Sequence, residues 1–150
     1  MLSSTVTRRM NNNNIKIVDF DKNLAEIKYI RTKVFIEEQN VPAELEWDEF
    51  DTDSMHILAY IDNKAVATAR LLRNGHIGRM AVLIEYRNSG IGKNMLNFMI
   101  NLAGEKLMTN IQLSAQEHAI GFYEKQGFTI LSGVYMDAGI PHYDMKLDKK

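Results

Sequence analysis

The strongest constraint in this 150-residue chain is a change of hydrophobic period partway along it. "HIGRMAVL" (His76–Leu83) reads as a β-strand. From Ile91 onward, Ile91, Met95, Phe98, Met99 and Leu102 recur at helical spacing. Between the two lies "YRNSGIGKNML", Tyr86 to Leu96, with two glycines spaced G-x-G. A strand thus passes into a helix over a loop whose backbone amides can converge on a ligand, because no Cβ blocks the approach. The helix start adds unpaired N–H donors and the positive end of its dipole. The ligand suited to such a loop is an anion, a phosphate above all.

Composition narrows the class. With 150 residues, 45% apolar and 25% charged, the chain suits one globular domain with a real core. A net charge of −1 offers no broad basic surface for nucleic acid. The absence of cysteine excludes disulfides, thiolate nucleophiles and Cys-ligated zinc. No apolar run approaches the ~20 residues that span a bilayer. The expectation is a soluble, cytoplasmic domain with neither membrane nor nucleic acid as partner, either monomeric or homodimeric. Residues 1–14, "MLSSTVTRRMNNNN", lack an apolar core of the signal-peptide kind and read as a polar extension, with Met10 as an alternative start. The domain proper is expected over 15–150.

"IKIVDF" (Ile15–Phe20) alternates and reads as a strand. Asp21 can cap a helix through "NLAEIKYIRTKVFIEEQ", with Leu24, Ile27, Ile30 or Arg31, and Val34 on one face. "AELEWDEFDTDS" is acidic and without clear period. "MHILAYI" and "AVATARLL" are strands joined by a turn at Asp62-Asn63-Lys64. "IQLSA" is a short strand, and "EHAIGFYEKQ" is a helix stopped by Gly127. "FTILSGVYM" and "HYDMKL" are the last two strands, around Ala138-Gly139-Ile140-Pro141. Antiparallel meanders with βαβ units predict an α/β (α+β) domain with a mixed sheet.

The glycine loop fails the two best-known phosphate motifs on specific residues. A P-loop needs Ser or Thr where Asn94 stands, and an upstream glycine that is missing. The dinucleotide fingerprint needs a third glycine where Met95 stands. What remains is R-x-x-G-x-G between strand and helix, followed some thirty residues on by "AIGFYEKQGF". Together these resemble the GCN5-related N-acetyltransferase (GNAT) superfamily, whose first motif is [QR]-x-x-G-x-[GA] and whose second is A-x-x-[FL]-Y-x-x-x-G-F. Arg87, Gly90, Gly92, Ala119, Phe122, Tyr123, Gly127 and Phe128 fit in register. The resemblance covers about 15–147. "VFIEEQNVP", the acidic segment with His56, and "AGIPHYDM" look like the ElaA/YjcF-type subgroup.

The resemblance implies a mostly antiparallel sheet of about six to seven strands flanked by about four helices. It implies acetyl-CoA as co-substrate, with its pyrophosphate on the amides of Asn88, Ser89, Gly90, Ile91, Gly92 and Lys93, beside Arg87 and Phe122. The pantetheine arm would lie along Met80, Ala81 and Val82, in a gap between this strand and "IQLSA", with Val82 N–H available to the thioester oxygen. Gln116 stands where many members carry a cofactor-contacting Asn. The implied reaction is direct attack of an amine, on a small molecule or a peptide, on the thioester. Tyr123 is placed as the acid for the departing thiolate, and a phenol is protonated at neutral pH. The position of a catalytic Glu in some relatives is occupied by His76, which can serve as base or can be a solvent-facing strand start.

The acidic segment leaves two readings open. Glu46, Asp48 and Glu49 could draw a cationic acceptor to its cleft, or the segment could be a solvated loop. It fails the EF-hand pattern, and the four histidines show no metal-ligand spacing, so no metal is expected. A rival to the enzyme is a non-catalytic acyl-CoA sensor or interaction domain on the same fold.

Overall fold

The computed structural model describes residues 14–148. The extension expected over residues 1–14 therefore lies outside the described residues but for Asn14. Eight strands form one sheet: β1 (Ile15–Val18), β2 (Met55–Ile61), β3 (Lys64–Leu71), β4 (His76–Val82), β5 (Gln112–Gln116), β6 (Phe128–Ile130), β7 (Tyr135–Asp137) and β8 (Ile140–Leu147). Their order is β1-β2-β3-β4-β5-β8-β6, with β7 also paired to β8. Every neighbouring pair is antiparallel except β4 with β5. The α/β class and the mixed, mostly antiparallel sheet are as expected. The strand count is higher because "FTILSGVYM" breaks at Leu131–Val134, around Gly133, into β6 and β7.

Turn chemistry sets the hairpins. Asp62 and Asn63 both take left-handed φ, 51° and 65°, which matches the twist of β2 and β3. Ala138 and Gly139 do the same, at 53° and 78°, between β7 and β8. Gly127, at φ 98°, ends the helix before β6, and its N–H reaches Glu124 O.

Four helices pack on this sheet: α1 (Leu24–Arg31), α2 (Ala43–Glu46), α3 (Ile91–Glu105) and α4 (Ile120–Lys125). The single helix expected through Gln39 instead widens after Arg31 into π-helical turns over Thr32–Glu38, where the Gln39 N–H bonds five residues back to Val34 O at 3.1 Å. Asp21 does not cap α1. Asn23 holds that position, and Asp19 accepts the Lys22 N–H. β3 is buried at every residue from Ala65 to Leu71, so both of its faces must be covered. α1 and α3 are the helices that contact it. α1 brings Ile27 and Ile30, and α3 brings Met95, Leu96, Met99 and Leu102. Each fully buried side chain of this kind contributes roughly 1.5–3 kcal/mol.

Two irregularities in β4 shape the ligand site. Arg70 pairs Gly78, whereas Thr68 pairs Ala81, so Arg79 and Met80 together face Ala69. This is a β-bulge, and Arg79 takes a left-handed φ of 48° within it. On its other side β4 meets β5 through two pairs alone, His76–Gln112 and Ile77–Leu113. Beyond them the strands diverge, while β5 stays paired to β8 up to Gln116 and His142. The sheet thus contains a fork whose apex lies at His76–Ile77.

Candidate active site

The glycine loop opens beside the fork. Asn88 and Gly90 both have left-handed φ, 63° and 90°, which turns the chain sharply into α3. The first intrahelical bond runs from Asn94 N–H to Gly90 O. The amides of Ile91, Gly92 and Lys93 therefore have no intrahelical acceptor. A cavity of about 320 Å³ lies against them, lined by Val82, Tyr86, Phe122 and the loop residues Arg87, Asn88 and Gly90–Lys93. A Cβ on Gly90 would meet no atom within 4 Å, and one on Gly92 would touch Phe122 Cζ at 3.7 Å. Orphan amides at a helix start, with Lys93 and no acidic lining, fit a pyrophosphate.

Arg87 lines the cavity, but its guanidinium turns back onto the protein. Nε donates to Val82 O at 2.8 Å, and both terminal nitrogens grip the Glu38 carboxylate at 2.7 and 2.6 Å. The hydrogen bond from Arg87 holds Glu38 below the usual carboxylate range. The end of the π-helical segment is thereby tied to the glycine loop. Ser89 is not a lining residue, and its hydroxyl donates to Tyr86 O.

The edge of β4 faces the fork in alternation. Leu83 N–H bonds Val66 O on β3. By strand alternation Ala81 also points its polar groups to β3, and Met80 and Val82 point theirs into the fork. Arg87 takes the Val82 carbonyl, leaving the Val82 N–H and both polar groups of Met80 for a ligand. At the end of β5, Gln116 donates from Nε2 to Gln39 Oε1 at 2.8 Å, and its Oε1 accepts from His118. Tyr123 on α4 lies edge-on to Phe122 and Phe128, at 5.1 and 6.1 Å between ring centroids. Burial pushes its phenol up to about 12. Its hydroxyl has no protein partner among the described residues.

His76 stands half-buried at the apex of the fork. Burial, aided by the charges of Arg70 and Arg79, lowers its pKa against the opposing pull of Asp144. The imidazole is therefore neutral at pH 7, and its ring nitrogens have no hydrogen-bond partner among the described residues. Next to this apex sits a cluster that sequence reasoning missed. Asp144 on β8 pairs across from Ser114 on β5, the first β5 residue past the last β4 pair. Asp144 Oδ1 accepts from Ser114 Oγ at 3.2 Å and from Tyr135 Oη at 2.6 Å. No ion-pair partner for Asp144 exists among the described residues.

The acidic segment forms a network of three carboxylates and three guanidinium groups. Arg31, fully buried, donates to Glu46 Oε2 at 2.7 Å and to Asp51 Oδ1 at 2.8 Å. Arg70 reaches Asp48 and Asp51, both at 2.8 Å. Arg79, the bulge residue, pairs with Glu46 and Asp48, both at 3.2 Å. Burial pushes Glu46 above the usual carboxylate range. Asp51 is also pushed up by burial, but Arg31 and Arg70 outweigh this and hold it below. Trp47 covers Arg31, with its ring 4.6 Å from the guanidinium carbon, whereas Phe50 remains half exposed. Glu49 is exposed and outside the network. Of the remaining histidines, buried His56 donates Nε2–H to Asp51 O, and His142 donates Nδ1–H to Ile140 O. His118 lies on the surface. Among the described residues no group of three or more His, Asp or Glu is gathered to hold a metal. No helix there is long and apolar enough to cross a membrane.

Residues 8–149 match the family described as the acetyltransferase (GNAT) domain. The chain belongs to the GCN5-related N-acetyltransferase family, and within it to the ElaA/YjcF type. It is 41% identical over 135 residues to the uncharacterized protein YyaT of Bacillus subtilis (strain 168), covering 86% of this chain and 91% of YyaT. It is 36% identical over 132 residues to the uncharacterized N-acetyltransferase YjcF of the same organism, covering 85% and 94%. The crystal structure of Escherichia coli ElaA superposes with a TM-score of 0.80 at 27% identity, over 89% of this chain and 99% of that one. The chain is thus an acyltransferase whose co-substrate is acetyl-CoA, and the orphan amides and the fork are features that suit that molecule.

Proposed function

We propose that the acetyl acceptor is an amine, on a small molecule or a peptide, and that transfer is direct. The observation that carries this reading is the fork itself. It leaves the Val82 N–H and the Met80 polar groups for a ligand on one side and exposes a neutral histidine at its apex, with no cysteine anywhere in the chain to take an acyl group. In this reading the amides of Asn88 to Lys93 hold the pyrophosphate, and Met80, Ala81 and Val82 line the pantetheine arm. Phe122 and Gln116 flank it from α4 and from the end of β5. Arg87 serves by fixing the loop to Glu38 and to Val82.

An alkylamine with a pKa near ~10.4 must lose a proton before it attacks. His76 is the proposed base, receiving that proton directly or through water. The nitrogen lone pair then bonds the thioester carbon, the C–S bond breaks, and the thiolate takes a proton from Tyr123. Two amides could steady the thioester oxygen. Along β4, at ~3.3 Å per residue and with the bulge fitting three steps into the length of two, Val82 lies about 17 Å from His76 and Met80 no more than about 13 Å. Met80 is therefore the amide better placed to share a centre with His76. Glu46 and Asp48 serve the site through Arg79, and Glu49 keeps an exposed carboxylate able to meet a cation.

The test is an amine panel with acetyl-CoA, following free thiol and acetylated product together. Equal amounts of both, above the rate with water alone, are expected for at least one amine. Acetyl-CoA binding with no acetylated amine across the panel would return the chain to a non-catalytic acyl-CoA binder.

A further inference from the structure

Resting on the amine reading above, we propose that Asp144, held by Ser114 and Tyr135 at the apex of the fork, is the subsite for the acceptor's ammonium group. The acceptor would then be a cationic primary alkylamine rather than an uncharged arylamine.

The charge balance of the two acidic regions decides between them. Glu46, Asp48 and Asp51 are each engaged by arginines at 2.7–3.2 Å. Little of their field is left for a substrate cation. Asp144 is only half-buried and has no basic partner among the described residues. Its orientation is nevertheless fixed. Oδ1 receives the Tyr135 hydroxyl at 2.6 Å and the Ser114 hydroxyl at 3.2 Å, and the Asp144 backbone N–H donates to Ser132 Oγ at 2.9 Å. Two donors on Oδ1 leave Oδ2 without a protein donor. A carboxylate oriented by neutral hydroxyls and lacking a counter-charge is a cation acceptor in waiting.

Its place in the fold suits the reaction. Ser114 and Asp144 face each other at the first step beyond the Ile77–Leu113 pair, level with Gly78 on β4. A Cβ on Gly78 would meet nothing nearer than His76 Cδ2, at 3.8 Å, so the floor between His76 and this cluster is open. The Met80 amide lies within about 7 Å of this level, in the bulge of the same strand. His76 senses the Asp144 charge, and its ring nitrogens are free to take the proton that the bound ammonium gives up. Asp144 would hold the cation and His76 would convert it to the nucleophile. Ser114 and Tyr135 are positioning residues that act through the carboxylate.

The test compares a primary alkylamine, tyramine, with an arylamine, aniline, which is neutral at pH 7. Asp144→Asn should raise KM for tyramine about 10- to 100-fold, the worth of a charge-assisted hydrogen bond. KM for aniline should stay within about twofold, and calorimetry should give an unchanged acetyl-CoA affinity. Asp144→Glu should recover part of the tyramine loss. Tyr135→Phe keeps the charge but frees the carboxylate, and should raise the tyramine KM by about two- to tenfold. If Asp144→Asn also loses acetyl-CoA affinity, its defect is one of folding and the Tyr135→Phe result decides. An unchanged tyramine KM, or equal losses for both amines, overturns the subsite. Wild-type protein that acetylates aniline but never tyramine overturns it too, while leaving the amine reading intact. Wild-type protein that acetylates no amine at all overturns both.

Discussion

Two side chains carry the proton traffic in this account, and their surroundings set them apart. Tyr123 is desolvated between Phe122 and Phe128, which pushes its phenol up to about 12. It keeps its proton at every physiological pH. It is also a weak donor to a thiolate whose acid has a pKa near ~8.5, so the transfer runs uphill unless the same desolvation raises the pKa of the thiol as well. Tyr123→Phe should therefore slow single-turnover acetyl transfer by about 100-fold, the low end for a general acid, with acetyl-CoA affinity unchanged. An equal rate would make Tyr123 a packing residue. His76 is tuned the other way. Burial lowers its pKa, Asp144 from β8 raises it, and Arg70 from β3 and Arg79 from β4 lower it further. A base works unprotonated, so lowering its pKa moves the acid limb of kcat/KM to below pH 6.5, and rate is lost only as pH falls through that value. His76→Gln should abolish that limb along with most of the rate. A limb that survives in His76→Gln belongs to another group.

At the scale of elements, the bulge in β4 depends on parts of the chain far from it. Arg79 sits in the bulge at positive φ, and Glu46 and Asp48 hold its guanidinium from more than thirty residues away. Arg31 supports both Glu46 and Asp51. Replacing Arg31 by Met leaves two buried carboxylates short of a partner, so it should destabilise the fold by about 3–5 kcal/mol, read by urea melts. A loss below about 1 kcal/mol would mean that Arg70 and Arg79 hold the network unaided. None of this was legible in the sequence. "AELEWDEFDTDS" shows six acids, but nothing local shows which of them arginines will engage across 15 to 33 residues. Asp144 was missed for the same reason: in "HYDMKL" it is one polar residue of an alternating strand, and its partners lie 9 and 30 residues away. The glycine loop, by contrast, was readable because its geometry is local. Gly90 and Gly127 stand where φ is positive, and the period changes at Ile91. The π-helical turns escaped because Ile27, Ile30 and Val34 present the same apolar stripe to either winding. The β6–β7 break was signalled by the turn dipeptide Ser132-Gly133, but the apolar residues on either side of it read as one run.

On the scale of the whole molecule, the proposed acetyl-CoA site joins parts that lie far apart along the chain. The loop comes from the β4–α3 junction, Phe122 from α4, and Glu38, through Arg87, from the segment after α1. A ligand bridging these should couple to global stability, which a ligand on a single surface loop would do less cooperatively. Protonation should act in the opposite sense. His56 is buried neutral, its pKa lowered by desolvation, so the unfolded chain binds its proton first. Stability from this residue is complete above pH 6.5 and is lost as pH falls through the lowered value. Melts between pH 7.5 and 5 should show that decline, and His56→Gln should lessen it, leaving the share that His76 contributes in the same sense. A profile that stays flat in the wild type would mean that His56 is not held neutral.

The glycine loop and the fork are proposed to hold acetyl-CoA, and a pair of melting curves decides whether they do. Wild-type protein with acetyl-CoA at 100 times Kd should gain about 2.7 kcal/mol. For a chain of this size that raises Tm by about 5–10 °C. Gly90→Glu places a carboxylate in space that no protein atom occupies, against the loop amides, and strains a residue held at φ 90°. Its own Tm should fall modestly, and its response to acetyl-CoA should vanish. A wild-type Tm that does not move with saturating acetyl-CoA, or a Gly90→Glu variant that responds as fully as the wild type, would contradict the account.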